Sequence, residues 1–227
     1  MKKLVIIGNT EFAEIAYEYF TYDSEYEVAA FAVEEPYIKS NTLKEKPVID
    51  FAKLPQLYPP HEYCVFTAIT YQKLNRLRRR FYQQCKEWGY EFATYISSAA
   101  FVWRNNVEIG ENCFIFEDNT IQYNVHIGAN VVLWSGNHIG HSAHIADHCF
   151  ISSHVVVSGY CEIGEHCFLG VNATMGNNIV LPKDSLLAAG AIMTHSFDEI
   201  GGIYAGSPAK KVNKTAYEYY EVTNDEI

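Results

Sequence analysis

The chain has 227 residues, 48% of them hydrophobic and 19% charged, a balance that excludes a disordered protein and gives length enough for two domains. A formal net charge of −10 excludes the nucleic-acid backbone as a general partner, since phosphate could be collected only by small local patches. No apolar run reaches the ~20 residues of a membrane span, and six cysteines without a C-x-x-C pair point to a reduced, cytoplasmic setting.

The opening K-K-L-V-I-I-G-N-T-E-F-A-E-I-A-Y-E-Y-F reads as a buried first strand rather than a signal peptide, then a turn at Gly8, then a helix with Phe12, Ile15, Ala16 and Tyr19 on one face. A second strand is expected near Tyr26 to Val33 and a third near Glu62 to Thr67, followed by a helix from about Gln72 to Trp88 and a fourth strand near Glu91 to Ile96. This order predicts a small Rossmann-like α/β domain over residues 1–98. The single Gly8 departs from the G-x-G-x-x-G of a dinucleotide site. It either only makes the turn or opens a helix N-terminus on which a phosphate or nucleotide can sit. The run Arg76, Arg78, Arg79, Arg80 reads as an exposed helix face.

Residues 97–105 form the joint to a second domain, 99–227, which keeps different time. From Ile109 to Leu187 every sixth residue is aliphatic or methionine, fourteen in succession: Ile109, Ile115, Ile121, Ile127, Leu133, Ile139, Ile145, Ile151, Val157, Ile163, Leu169, Met175, Leu181 and Leu187. A helix repeats at 3.6 and a simple strand at 2, so neither fits. The hexapeptide period predicts a triangular coil of short parallel strands, about eighteen residues per turn, with turns stacked ~4.8 Å apart. Slim residues two places before the period position, among them Cys113, Cys149, Cys161 and Cys167, then fall inside the prism as core filler. After Thr194 the repeat ends, and G-G-I-Y-A-G-S-P-A-K-K-V closes the coil ahead of a Tyr- and Glu-rich tail.

Five of the nine histidines lie between Gly136 and His154. Residues eighteen apart stack in such a coil, so His126, His144 and Glu162 share an outward column, and His148 and His166 share a corner column. His138 points outward just before Ile139. His141 sits at the corner two residues after Ile139, directly below Gly159. A zinc ion needs ligands converging within ~2.1 Å of one point, which side chains on separate faces of a prism do not provide, so no metal is expected from one chain.

The α/β start, the hexad I-G-H-S-A-H, the run V-V-V-S-G-Y-C-E-I-G-E-H-C-F-L-G-V-N-A-T and the terminal A-G-S-P-A-K resemble the sialic-acid/bacillosamine-pathway sugar acyltransferase family over nearly the whole chain. The resemblance implies a left-handed parallel β-helix, an exception to right-handed crossovers, assembled as a homotrimer. It implies acetyl-coenzyme A as co-substrate in the groove between neighbouring coils, and a nucleotide-linked amino sugar held by the α/β domain. His141 falls on the family's general base. Where members often carry an acidic residue next, this chain has Ser142, so Ser142, Asn137 or His138 is left to orient the imidazole. Coenzyme A is expected along Gly159 and Ala189, with Lys210 and Lys211 near its nucleotide end. The α/β domain offers Gly8, Asn9 and Thr10, the pair Glu34 and Glu35 for ribose or base, and Lys73.

The chemistry is consistent with the resemblance. An amine attacking a thioester must lose a proton, which an imidazole titrating near about 6.5 accepts at cellular pH. Thioester and amine react directly once held together, and a backbone N–H at a corner such as Gly159 suits the developing oxyanion. The expected activity is therefore N-acetylation of a nucleotide-linked amino-deoxy sugar, probing C-4 first. The alternatives are sugar (sialic acid) O-acetylation, a metal-dependent hydratase on the same coil, and a non-catalytic nucleotide-binding scaffold.

Overall fold

The computed structural model describes residues 2–226, which divide into two compact units. One runs to Thr70 and resumes from Arg78 to Tyr95; the other takes Tyr71–Leu77 and everything from Ile96 onward.

The first unit is built on five strands, β1 (Lys2–Ile7), β2 (Tyr26–Val33), β3 (Thr42–Leu43), β4 (Lys46–Asp50) and β5 (Tyr63–Thr67), in the order β3-β4-β2-β1-β5. The pairings β1 with β2, β1 with β5 and β2 with β4 are parallel, and β3 with β4 is an antiparallel hairpin. Parallel strands need both faces covered, and the sequence shows it: Leu4, Val5, Ile6 and Ile7 are a continuous buried run. Helix α1 (Glu11–Tyr22) buries Phe12, Ala13, Ala16 and Phe20, and Phe12 and Phe20 pack edge-on against Phe66 of β5 with ring centroids 6.2 and 5.2 Å apart. A single turn, α2 (Leu54–Leu57), precedes β5.

Four features differ from the sequence expectation. The hairpin β3–β4 has no counterpart in the sequence pattern, because its polar, half-exposed residues carry little hydrophobic signal. Helix α3 spans Arg76–Glu87 rather than starting near Gln72, since Lys73, Leu74 and Asn75 all take left-handed backbone angles (φ 54°, 49° and 66°) that no helix accommodates. The expected fourth strand near 91–96 reduces to a parallel bridge of Phe92 beside Val65 and a two-residue strand, Tyr95–Ile96. The arginine run is not an exposed face: Arg76 and Arg78 are buried, and Arg78 donates to the carbonyl of Thr70 at 2.7 Å.

The second unit is the coil. Two-residue parallel strands follow each other every six residues and pair eighteen residues on, so that Ile121 aligns with Ile139, Val157, Met175 and Met193. One continuous core, from Cys113 and Ile115 to Met193 and Tyr204, fills the prism, and the four slim cysteines are fully buried within it. Three residues past each period position the backbone turns with φ near +60°, at Asn112, Asp118, Asn124, Asn130, Ser142, His148, His154, Tyr160, His166, Asn172, Asn178 and Asp184. Asn and Asp tolerate that conformation best, which is why they fill most of these corners. The coil closes with Ile203–Ala205 beside Leu186–Leu187 and an antiparallel return, Lys210–Lys211. On the face carrying Phe150 and Phe168, Tyr71 packs edge-on at 5.1 and 4.8 Å, and Tyr220 lies 6.0 Å from Phe168.

Candidate active site

His141 stands exposed at a corner between the strands His138–Ile139 and His144–Ile145. Its imidazole lies against the Cα of Gly159 one turn above: a Cβ there would come within 2.6 Å of both Cε1 and Nε2. Gly159 therefore leaves room for the ring, a reason distinct from turn-making. Its N–H, expected to face an oxyanion, donates instead to Oδ1 of the exposed Asn177 at 3.0 Å.

Two neighbours of His141 were not foreseen. Gln122, from the turn below, places Oε1 2.9 Å from the His141 backbone nitrogen and 3.4 Å from Nδ1. Tyr160 sets its ring edge-on to the imidazole, centroids 5.0 Å apart at 87°, from a left-handed corner with φ 60°. Both were legible. The position right after each period residue is small or apolar from Gly110 to Ala188 except at Gln122, and a tyrosine in a corner slot held mostly by Asn and Asp is costly by ~1–3 kcal/mol.

None of the three expected orienting groups takes that part. Ser142 is turned by its corner angle (φ 55°) toward Asn124, whose Nδ2 donates to Oγ at 3.2 Å. Asn137 is buried, donating to the Trp134 carbonyl at 2.6 Å and accepting from the Val155 N–H at 2.8 Å, so it staples successive turns. His138 lies on a strand face, in register between Thr120 and Val156. Ala189 is exposed on a different corner column, above Gly170, and is not brought beside His141. Lys210 and Lys211 are exposed, and Lys211 is already paired with Glu199.

In the first unit, Gly8, Asn9, Thr10, Glu34 and Glu35 do gather at the carboxyl edge of β1 and β2, the side on which open α/β sheets bind ligands. Gly8 is a structural requirement: its φ is +127°, a Cβ would stand 2.7 Å from the Ala68 carbonyl oxygen, and its N–H donates to Ala32. Asn9 donates to the Tyr37 carbonyl at 2.8 Å, Thr10 caps α1 through its carbonyl, and Arg80 pairs with Glu34 at 3.0 Å. Glu11 and Glu14 occupy the first turn of α1, where they already complement the helix dipole. Lys73 is not part of this edge. It belongs to the coil unit, where its ammonium meets the Glu221 carbonyl and lies 4.0 Å from the Glu226 carboxylate.

The corner column of His148 and His166, read as scaffold from the sequence, is a buried polar ladder. Asn112 donates to Asn130 at 2.7 Å, Asn130 meets His148 Nδ1 at 2.9 Å, and the rings of His148 and His166 stack at 5.0 Å. His166 Nδ1 lies 3.2 Å from Asp184, which also accepts from Arg76 at 2.8 Å and from Tyr217 at 2.7 Å. Burial raises the Asp184 carboxyl, but the close His166 ring, the Tyr217 hydrogen bond and the Arg76 guanidinium outweigh it and hold it at about 2. Burial raises the thiols of Cys161, Cys167 and Cys85, so none is an activated nucleophile. Among the described residues no group of three or more His, Cys, Asp or Glu is placed to hold a metal ion.

The fold class is thus a small Rossmann-like α/β domain and a left-handed parallel β-helix of hexapeptide repeats. Residues 124–159 match the model of the bacterial transferase hexapeptide (six repeats), and residues 161–195 match that of the hexapeptide repeat of succinyl-transferase. PerB from Caulobacter crescentus, solved in complex with CoA and GDP-perosamine, is similar with a TM-score of 0.81 and 24% identity over 93% of this chain and 97% of that one. WeeI from Acinetobacter baumannii AYE aligns with a TM-score of 0.73 at 18% identity, over 92% and 99% of the two chains. The acetyltransferase domain of PglB from Neisseria gonorrhoeae FA1090, solved in complex with acetyl coenzyme A, aligns at 0.62 and 20% identity, over 93% and 99%. No curated protein matches the chain by sequence at a significant level.

Proposed function

We propose that this protein transfers the acetyl group of acetyl-CoA to the amino group of a nucleotide-linked amino-deoxy sugar, with C-4 as the first position to test. One observation carries the reading. An exposed imidazole is seated on Gly159 and approached by the Gln122 side chain at Nδ1, in a fold similar to that of PerB, which was solved with CoA and GDP-perosamine.

In this reading the sugar amine attacks the thioester carbonyl carbon, forming the C–N bond. His141 takes the ammonium proton through Nε2, and the tetrahedral intermediate collapses with release of the CoA thiolate, which is then protonated. The thioester oxygen replaces Asn177 Oδ1 on the Gly159 N–H, giving that donor the oxyanion role. The carboxyl edge of β1 and β2, with Asn9, Thr10, Glu34 and Glu35, is assigned to the sugar nucleotide. CoA is assigned to the coil corners that carry Gly159 and Ala189, with Lys210 at the phosphate end. The working assembly is a homotrimer with CoA in grooves between neighbouring coils, and the setting is the cytoplasm; no described helix is long and apolar enough to cross a membrane.

The test is a panel of UDP-, dTDP- and GDP-linked 4-amino and 3-amino sugars with acetyl-CoA, following free thiol. Sugar-dependent thiol release with one of them is expected. Thiol release with none, at millimolar substrate, would overturn the proposal.

A further inference from the structure

We infer that Gln122 is the positioning residue of His141, fixing the imidazole with its proton on Nδ1 so that Nε2 is the free base. The inference rests on the acetyl-transfer reading, with His141 as base, and adds the group that sets its tautomer.

The geometry is specific. The Gln122 backbone is tied into the coil by its N–H to the Ile139 carbonyl at 3.0 Å, and its half-buried side chain reaches up one turn. One amide oxygen faces two nitrogens of the same residue, the His141 main-chain N at 2.9 Å and ring Nδ1 at 3.4 Å. The first contact donates from a backbone N–H, so the atom held there is an acceptor. An acceptor next to Nδ1 selects the tautomer that carries hydrogen on Nδ1. The ring's other nitrogen, Nε2, is then unprotonated and lies against Gly159, where a Cβ would stand 2.6 Å away. Tyr160, edge-on to the ring, is a titratable side chain packed against it.

Gln122 also accounts for the departure at Ser142. An acidic residue placed next to a base would both orient it and favour its charged form; here the neighbour is turned to Asn124, and a neutral amide from the turn below supplies orientation without charge.

Two variants separate these parts. Gln122→Met keeps the length and removes the acceptor, and should lower kcat about tenfold or more with the KM for acetyl-CoA unchanged. Gln122→Glu keeps the acceptor and adds charge, and should retain turnover while moving the acid limb of the kcat/KM profile to higher pH by about one unit. Nitrogen-15 NMR of the wild-type protein, with His141→Asn for assignment, reads the tautomer without any turnover: protonated Nδ1 and bare Nε2 are expected at pH 8.5. Hydrogen on Nε2, or wild-type kcat in Gln122→Met together with an unmoved limb in Gln122→Glu, would overturn the inference. If no sugar is acetylated by the wild-type protein, the functional reading fails while the NMR result still decides the hydrogen bond.

Discussion

Asp184→Asn should cost the coil between about 2 and 5 kcal/mol, although it keeps shape and leaves every expected site residue in place. Asp184 is wholly buried and is the acceptor for Arg76 and Tyr217. Two estimates bracket the loss. The gap between the carboxyl's ordinary value of 3.8 and its folded value of about 2 corresponds to roughly 2.5 kcal/mol, at about 1.4 kcal/mol per pH unit. Leaving the buried Arg76 guanidinium without its counter-charge costs ~3–5 kcal/mol in comparable buried pairs. For a unit of this size 1 kcal/mol moves the melting midpoint by about 2–4 °C, so the variant should melt roughly 4–20 °C lower at pH 7. The sign of the pH dependence follows from the depressed folded value. Stability from Asp184 is complete above 3.8 and is lost as pH falls toward about 2, so the variant's deficit should shrink below pH 4. Thermal unfolding followed by tryptophan fluorescence from pH 7 to pH 3 measures both. A midpoint within 1 °C of wild type at pH 7, or a deficit that grows on acidification, would refute the ladder as a stabilising element. Adding Arg76→Met to Asp184→Asn should restore part of the loss.

Three further outcomes follow from the same packing. Gly159→Ala should reduce turnover by about 10²-fold, because a Cβ at 2.6 Å displaces the His141 ring by about 1 Å, while the unfolding midpoint changes little; unchanged kcat would separate the ring's position from catalysis. Leu133→Ala, which opens a cavity in the prism, should destabilise by ~2–5 kcal/mol in urea titration, and a loss under 1 kcal/mol would mean the core collapses around it. Exhaustive chelation should leave acetyl transfer intact, with elemental analysis checking for zinc; activity lost on chelation and regained with zinc would favour the hydratase chemistry.

The coil was legible because its period is carried by residues that have no other place to go: each sixth aliphatic and each slim partner fill one prism. The positions of His141, Gly159 and the stacked histidines followed from the same eighteen-residue arithmetic. What the arithmetic could not show was depth. His148 and His166 stand at corners like His141, yet both are buried: Asn75, from a distant stretch of sequence, donates to the His166 carbonyl at 3.0 Å, Arg76 from the same stretch pairs with Asp184 beside His166, and His148 stacks on the His166 ring. The arginine run differs from its sequence pattern for the same reason: Arg76 and Arg78 have the spacing of a solvated face, but Asp184 and the Thr70 carbonyl bury them. A coil fragment beginning at Ser97 would therefore lose Arg76 and leave Asp184 buried without its counter-charge. Among the site residues, Gln122 carries a signal only in the eighteen-residue stacking and none in local sequence: Ser142 is the chain neighbour of His141, whereas the side chain that reaches the imidazole stands nineteen residues back.

The most direct measurement is the turnover of His141→Asn with acetyl-CoA and the sugar nucleotide identified in the panel, beside CoA affinity by calorimetry. Loss of the general base should lower kcat by ~10²–10⁴-fold and leave CoA affinity within about twofold of wild type. A variant that keeps more than about a third of wild-type turnover at saturating substrates, against that expected range, would contradict the account and place the base elsewhere.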